Sequence, residues 1–485
     1  MIPHRLGRSQ AELSRAATRP ENLSQPDLLH GRRRPGGRMV ATARRAVANA
    51  APWPAFFGTM VAVYTSITVS RLNEVVPFLG RLYLGKVGAA LLLVACLAGP
   101  RNGEFAEGFK TTVMKCMLVI TVLAFASVPG SAWPKQSVTF FQVMWPQTIL
   151  MFVGVLVGFM DMRTAWITIV AVTATAALGA LELIVGGGLS TMGRGFIGSD
   201  VSATLDPNAS AALFVTMLPY GIFLATRRGR LKTVGIAMIP IFVAGIVRTS
   251  SRGGILALGA LAIALIAFAP KKRRAVYAGV LVVMVATVFL VPHSGLADRF
   301  SDLSGSQDYN FNSRDGRIEI WKRGIGMMLT HPILGVGVRA YEVANGNLAH
   351  SWMNAHNSFI QIGAELGVGG LIALITAIVV VFRMAVAARK RTAARANGSS
   401  DMEFEHALLT AAICSLVAEL AAAMFLSMAY DTMTLFALAV PTGVALHVFR
   451  SRRVPGAAAQ PTVGQAAWRS ARRVPRPLPA PRPTA

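Results

Sequence analysis

The chain has 485 residues, of which 53% are hydrophobic and 14% charged. That is too little charge for a water-soluble protein of this size. The net charge of +26 invites a nucleic-acid reading, but its placement excludes one. Ten Arg with three acidic residues in 1–46, and eight Arg with no acid in 450–485, lie in the two tails, which together supply a net fifteen of the 26 charges.

Both tails are rich in Arg, Pro, Ala or Gly and carry no apolar pattern that could fold. They read as disordered basic tails, residues 1–50 and 450–485, beside an anionic membrane face, where each basic residue gains about 1 kcal/mol. Residues 1–38 lack the apolar core of a signal peptide, and Met39 begins a more ordinary amino terminus.

Between the tails, apolar runs of membrane-spanning length recur. The expected fold is an all-α polytopic membrane protein. Twelve spans are predicted, at 53–70, 80–98, 111–129, 142–160, 164–184, 208–226, 232–248, 253–269, 274–292, 357–382, 406–429 and 432–449. The second is weakened by Arg81 and Lys86, and the fourth is interrupted by Pro146. Nine spans fill residues 51–292, a loop fills 293–356, and three spans fill 357–449. The strand alternation of an outer-membrane barrel is absent. Cys96, Cys116 and Cys414 all fall in apolar runs and read as small buried hydrophobes, not as a disulfide framework or metal site.

Basic residues in the short connections set the orientation. "TRRGRLK" (226–232), "PKKRR" (270–274) and "RMAVAARKRTAARANG" (383–398) share a side with both tails, which is therefore the cytoplasmic side. Twelve spans return the chain to that side. Three opposite connections then carry polar content: the Gly-rich 185–207, which runs into "DPN" (206–208); the short turn "RTSSRGG" (248–254); and the long loop 293–356. Loops of that length without a role are uncommon. In it, "DGRIEIWKRGIGMMLT" (315–330) reads as an amphipathic helix, with Ile318, Trp321, Ile325, Met328 and Leu329 on one stripe. Such a helix suits the bilayer surface, and it would present Arg317, one turn before Trp321, over the outer mouth of the bundle. Pro332 ends it, and "GVG" (335–337) turns the chain back.

Candidate chemistry gathers on these segments. Arg252 stands among Ser250, Ser251, Gly253 and Gly254, small residues that leave room for a large ligand; the alternative is a snorkelling anchor. Arg314 and Arg317 make a second basic point, or a solvated face paired with Asp315. Two guanidinium points on one outward cavity would suit a pyrophosphate, because their forks bind phosphate oxygens bidentately and stay charged. No Asp-rich metal motif stands in an outward connection, so neither metal nor cofactor is expected.

His356, in "AHNSFIQIGAELG" (355–367), is the candidate general base, able to take a proton from a sugar hydroxyl; His350 and His331 are alternatives. Asn357 can orient a sugar or cap the following helix. Asp206 and Asn208 can likewise bind sugar or cap. Glu365, two turns into the tenth span, must be paired or hydrated, and Glu182 and Glu419 raise the same question.

Four ordered stretches, "DPNASAALFVTMLP" (206–219), "SSRGG" (250–254), "GRIEIWKRGIGMMLTHPILGVGVRAY" (316–341) and "AHNSFIQIGAELGVGGL" (355–371), resemble the O-antigen ligase and O-antigen polymerase superfamily of bacterial membrane glycosyltransferases. The resemblance covers roughly residues 200–383. It implies a multi-span GT-C fold and a metal-independent, inverting transfer from undecaprenyl-diphosphate-linked glycan. The acceptor would be a sugar hydroxyl on lipid A-core or a similar glycan, on the outer face of the inner membrane. It also implies His356 as base and Arg252 with Arg317 or Arg314 as the diphosphate holders. Asn357, Asp206, Asn208 and Glu365 are further substrate-binding candidates. Membrane lipids are expected partners and nucleic acid is not. A polymerase joining lipid-linked repeats is the alternative within the family, and a transporter or flippase the alternative outside it.

Overall fold

The computed structural model describes residues 53–71, 78, 82–98, 103–186, 188–189, 195–197, 206–268, 274–290, 313, 315–394 and 400–451. In chain order these form α1 (Trp53–Val69), α2 (Leu84–Leu97), α3 (Glu104–Phe109), α4 (Thr112–Ser127), α5 (Pro134–Gly158) and α6 (Met162–Val185). A two-residue antiparallel pair follows, β1 (Gly188–Leu189) with β2 (Gly195–Phe196). Then come α7 (Pro207–Ala225), α8 (Arg230–Arg248), α9 (Arg252–Phe268), α10 (Arg274–Leu290), α11 (Arg317–Thr330), α12 (Tyr341–Ala349), α13 (Ser358–Ala393), α14 (Ser400–Ala423) and α15 (Thr432–Arg450).

Each of the twelve apolar runs is helical. Among the described residues, seven helices are long and apolar enough to cross a membrane: α5 to α8, α13, α14 (from Met402) and α15. Five more, in α1, α2, α4, α9 and α10, are apolar but shorter. The chain is a multi-pass membrane protein.

Three expectations about these elements are refined. The fourth span begins not at 142 but at Pro134, because a π turn at Phe140–Met144 carries the helix past Pro146. A proline lacks the N–H that would bond four residues back, and the wider turn absorbs the missing bond. The helix that carries the tenth span runs on past 382. Counted across a kink at Gly367, α13 continues through Arg383 and Lys390 to Ala393. The amphipathic helix keeps its bounds but not its stripe. Ile320, Gly324 and Met327 are its buried residues, while Ile325 and Leu329 stay 45% and 68% exposed. With that buried face α11 packs beside the first turns of α13, and the predicted stripe stays on its outer flank. A methyl group at Gly324 would meet Ile360 at 2.4 Å, and one at Gly363 would meet the Met328 sulfur at 2.7 Å.

The helix ends sort into two sets. At one, Arg450 pairs with Glu104 (3.0 Å) and Glu107 (3.9 Å), and His447 reaches the Met160 carbonyl (2.7 Å) and Glu405 (3.4 Å). Arg389 donates to the Phe268 carbonyl there too. At the other end, Arg71 pairs with Asp431 at 3.7 Å, and Thr432 donates to the Thr68 carbonyl at 3.2 Å. The turns after α4, α8 and α14 and the start of α13 all lie at this second end. The described parts of the connections predicted to face outward therefore share one end of the bundle.

The main core fills the bundle. A second, smaller core of Ile320, Met327, Val336, Tyr341, Ala344, Ala355 and Ala364 sits at the second end. It binds the return limb of the long loop to α13. That limb crosses the α13 kink at Gly367 (φ 71°, ψ −171°), a backbone region open essentially to glycine. Val336 N–H donates to the Ala364 carbonyl (2.8 Å), Gly337 N–H to that of Glu365 (3.1 Å), and Val368 N–H to that of Pro332 (2.9 Å). On its other side the limb is stitched to the α4–α5 region. Val338 N–H donates to Ser127 Oγ (3.0 Å), and Ser137 Oγ donates to the Val338 carbonyl (2.6 Å).

Candidate active site

His356 stands just before α13 with φ 47°, a left-handed conformation that side chains other than glycine rarely adopt. Two contacts hold it there. Its N–H donates to Ser427 Oγ at 2.9 Å, and the preceding carbonyl, Ala355 O, accepts the Trp321 indole N–H at 3.0 Å. Asn357 then caps α13, its Oδ1 accepting the N–H groups of Phe359 (3.0 Å) and Ile360 (3.1 Å). Of the two uses open to Asn357, capping is the one its side chain makes.

Burial pushes the His356 imidazole below its ordinary pKa of 6.5, and the positive charge of Arg317 pushes it the same way. The charge of Asp206 works against both. Three residues singled out from distant parts of the sequence are thus electrostatic neighbours, and burial and Arg317 both favour the neutral ring.

Asp206 and Asn208 open α7. Asp206 Oδ1 accepts the Asn208 N–H (2.9 Å), and the Asn208 amide Nδ2 donates to both carboxylate oxygens (2.8 and 3.0 Å). Asn208 Oδ1 accepts the Ser251 hydroxyl at 2.7 Å, and Ser251 Oγ accepts the Gly254 N–H at 3.1 Å. Asp206 therefore caps α7, and Asn208 ties that cap to the turn that presents Arg252. The turn is tight, with Ser250 at φ 48°.

Arg252 is the first residue of α9 and half-buried. Arg317 is the first of α11, and its guanidinium lies 5.9 Å from the centre of the Phe425 ring. The same phenylalanine backs α9, for a methyl group at Gly253 would stand 2.9 Å from the Phe425 Cβ. Phe425 thus separates the two arginine-bearing helix starts. Arg314 lies outside the described residues.

Glu365 is 1% exposed and now has partners. Its Oε1 accepts the Tyr341 N–H at 3.3 Å, and Arg339 and Tyr430 also interact with the carboxyl. It sits under the return limb of the loop. Glu419 lies in the bundle, accepting hydroxyls from Thr216 (2.9 Å) and Thr434 (2.7 Å). Of the alternative histidines, His331 is exposed and contacts Thr330 at 3.0 Å, and His350 is an exposed C-cap of α12.

The α14–α15 turn was not singled out from sequence. "MFLSMAYD" (424–431) supplies Phe425 between the arginines, Ser427 to the His356 backbone and Tyr430 beside Glu365. Its Leu426 carbonyl accepts the Ser358 hydroxyl at 2.7 Å, and its Met428 N–H donates back to Ser358 Oγ at 2.8 Å. Its signal was slight: a serine, a tyrosine and an aspartate crowded between two long apolar runs.

Residues 236–375 match a family model described as O-antigen ligase. That segment is similar to the O-antigen ligase family. It contains three of the four motifs that carried the resemblance, with Arg252, Arg317, His356 and Glu365; Asp206 and Asn208 fall just before it. No curated protein matches the chain. The family match supports an activity of the O-antigen ligase or polymerase type in surface polysaccharide assembly.

Proposed function

We propose that the chain is an O-antigen ligase-like glycosyltransferase. It moves a glycan from undecaprenyl diphosphate to a sugar hydroxyl of an acceptor such as lipid A-core, on the outer face of the bacterial inner membrane. The observation that carries this reading is that the α14–α15 turn meets His356 through Ser427, Arg317 through the Phe425 ring, and the start of α9, where Arg252 stands, through Phe425 against Gly253. A neutral imidazole can accept the proton of the attacking hydroxyl, a contribution of about 10²–10⁴-fold. Arg252 and Arg317 would hold the diphosphate, their fixed charge balancing the leaving group without a metal ion. Attack opposite the leaving group inverts the anomeric centre. Twelve crossings of GT-C type, with both termini cytoplasmic, complete the reading; the basic connections and the shared end of the polar ones support it.

Ligase is preferred to polymerase because the matching family model is the ligase one. Both activities draw on the same donor chemistry. The test is reconstitution of the purified protein with a lipid-linked oligosaccharide and either lipid A-core or a second lipid-linked repeat. Transfer to the core alone supports the ligase, and transfer to the repeat supports the polymerase. Undiminished transfer by His356→Ala removes the base. Vectorial movement of the lipid without transfer would favour a transporter.

A further inference from the structure

A tryptophan in the stretch that leads to His356 lies flat on a glycine of α12. We propose that this residue, Trp352, is a stacking platform for one pyranose ring of a glycan at this end of the bundle. The choice of a sugar rests on the glycosyl-transfer reading above, whereas the platform rests on geometry.

Glycine weakens a helix interior, yet Gly346 stands inside the nine-residue α12. A methyl group there would lie 2.5 Å from Cδ2 and Cε3 of Trp352 and 2.8 Å from Cε2. Cδ2 and Cε2 are the atoms shared by the two fused rings, so Gly346 meets the flat of the indole and not its edge. Trp352 is nevertheless 56% exposed. One face is seated on α12, and the other is turned outward. The backbone is pinned on both sides of it: the buried Asn345 donates from Nδ2 to the carbonyls of Ser351 (2.7 Å) and Met353 (3.1 Å). The ring is therefore held in place before anything binds.

Polar groups flank the ring. Glu342, Gly346 and His350 recur every four residues along one face of α12, and the indole covers the middle position. On one side Glu342 Oε2 accepts from Asn354 Nδ2 at 3.4 Å, and on the other stands the exposed His350. An aromatic face with a carboxylate, an amide and an imidazole at its rim matches a pyranose. The C–H groups of one sugar face lie on the negative π cloud, while the ring's hydroxyls donate and accept at the edge. A tryptophan that only anchors a bilayer interface would continue an apolar surface. Leu348, exposed on α12, is two positions from Gly346 and so lies on another flank. Trp352 precedes His356 by four residues, at most about 14 Å of chain, which is within an oligosaccharide's reach of the base.

The test reads binding at the ring itself. Full-length protein carrying fluorotryptophan is placed in nanodiscs and followed by fluorine NMR, with the Trp352 signal assigned by its loss in Trp352→Phe. Lipid-free core oligosaccharide and lipid-free repeat-unit oligosaccharide of the host strain are titrated separately, and inorganic diphosphate serves as the control. The expected result is a shift of the Trp352 signal with an oligosaccharide and none with diphosphate. A shift with the core marks an acceptor subsite, and a shift with the repeat marks a subsite for the donor glycan. Calorimetry should show oligosaccharide binding weakened about tenfold in Trp352→Ala, and likewise in Gly346→Ala, which lifts the ring from its seat. Asn354→Ala, a surface change that leaves α12 intact, should weaken binding too and guards against misfolding of the other two. A Trp352 signal unmoved by either oligosaccharide at millimolar concentration would overturn the proposal. Broadening of that signal by spin-labelled lipid, with wild-type binding in Trp352→Ala, would make the residue an interfacial anchor and overturn it equally. Oligosaccharide binding at Trp352 without transfer by the wild type would support the platform and remove the transferase reading.

Discussion

Replacing Ser427 by alanine tests the site where the sequence was least informative. The hydroxyl accepts the His356 N–H at 2.9 Å, and His356 sits at φ 47°. Holding such a residue in the left-handed region costs about 1–3 kcal/mol, which the surroundings must supply. Leaving a buried N–H without its partner costs about 1–3 kcal/mol more. Both penalties are relieved by the same movement, a return of His356 to negative φ, which swings the ring away from Arg317. If 1–3 kcal/mol of productive geometry is lost, kcat falls roughly 5- to 150-fold, at 1.36 kcal/mol per decade. KM for the donor should change little, since Arg252 and Arg317 are untouched. Single-turnover transfer in proteoliposomes measures this, with Ser427→Thr, which retains the hydroxyl, expected to recover most of the rate. Wild-type kcat in Ser427→Ala would show that the left-handed His356 needs no such support and would refute the reasoning.

Other outcomes follow from the same geometry. Because burial and Arg317 depress the His356 pKa, the acid limb of kcat/KM should lie below pH 6.5, and Arg317→Gln should move it upward. The sign for stability agrees: the unfolded chain takes up this proton first, so the His356 contribution declines as pH falls from 6.5 through the folded value. Gly367→Ala should lower the apparent melting temperature in detergent by several degrees. Its Cβ would fall 2.3 Å from the Pro332 carbonyl in a glycine-only conformation, whereas Gly369→Ala, with only Leu123 at 3.3 Å, should be nearly silent. Arg317→Lys keeps the charge but loses the planar fork, so donor KM should rise about tenfold in the transfer assay while the protein stays as stable as wild type.

The sequence made the helices legible because apolar runs longer than 16 residues have few alternatives in a membrane. It also marked His356 and Arg252, since charged and titratable residues at span edges stand out against such a background, and Arg317 through the amphipathic pattern of the long loop. It could not decide between two uses of one side chain. Asn357 and Asp206 each read as cap or ligand, and hydrogen bonds to Phe359, Ile360 and Asn208 were needed to show the caps. The partners of Glu365 were hidden for a different reason. Arg339 and Tyr341 approach it only because Gly335, Gly337 and Gly367 let two backbones cross in contact, and no periodicity announces a crossing. In α11 the spacing marked Ile325 and Leu329 but not the adjacent face of Ile320, Gly324 and Met327, and spacing alone does not say which flank meets α13.

The hydrogen bond from the Trp321 indole to the Ala355 carbonyl has a consequence for timing. Trp321 is one turn from Arg317 on the same helix, and Ala355 is covalently next to His356. Any displacement of α11 would therefore pull on the backbone beside His356. On the proposed reading, donor arrival at Arg317 would bear directly on the position of the base. Such a linkage would protect the lipid-linked glycan from premature loss to water, because the group that would activate a stray hydroxyl would be set by the occupant it is meant to serve.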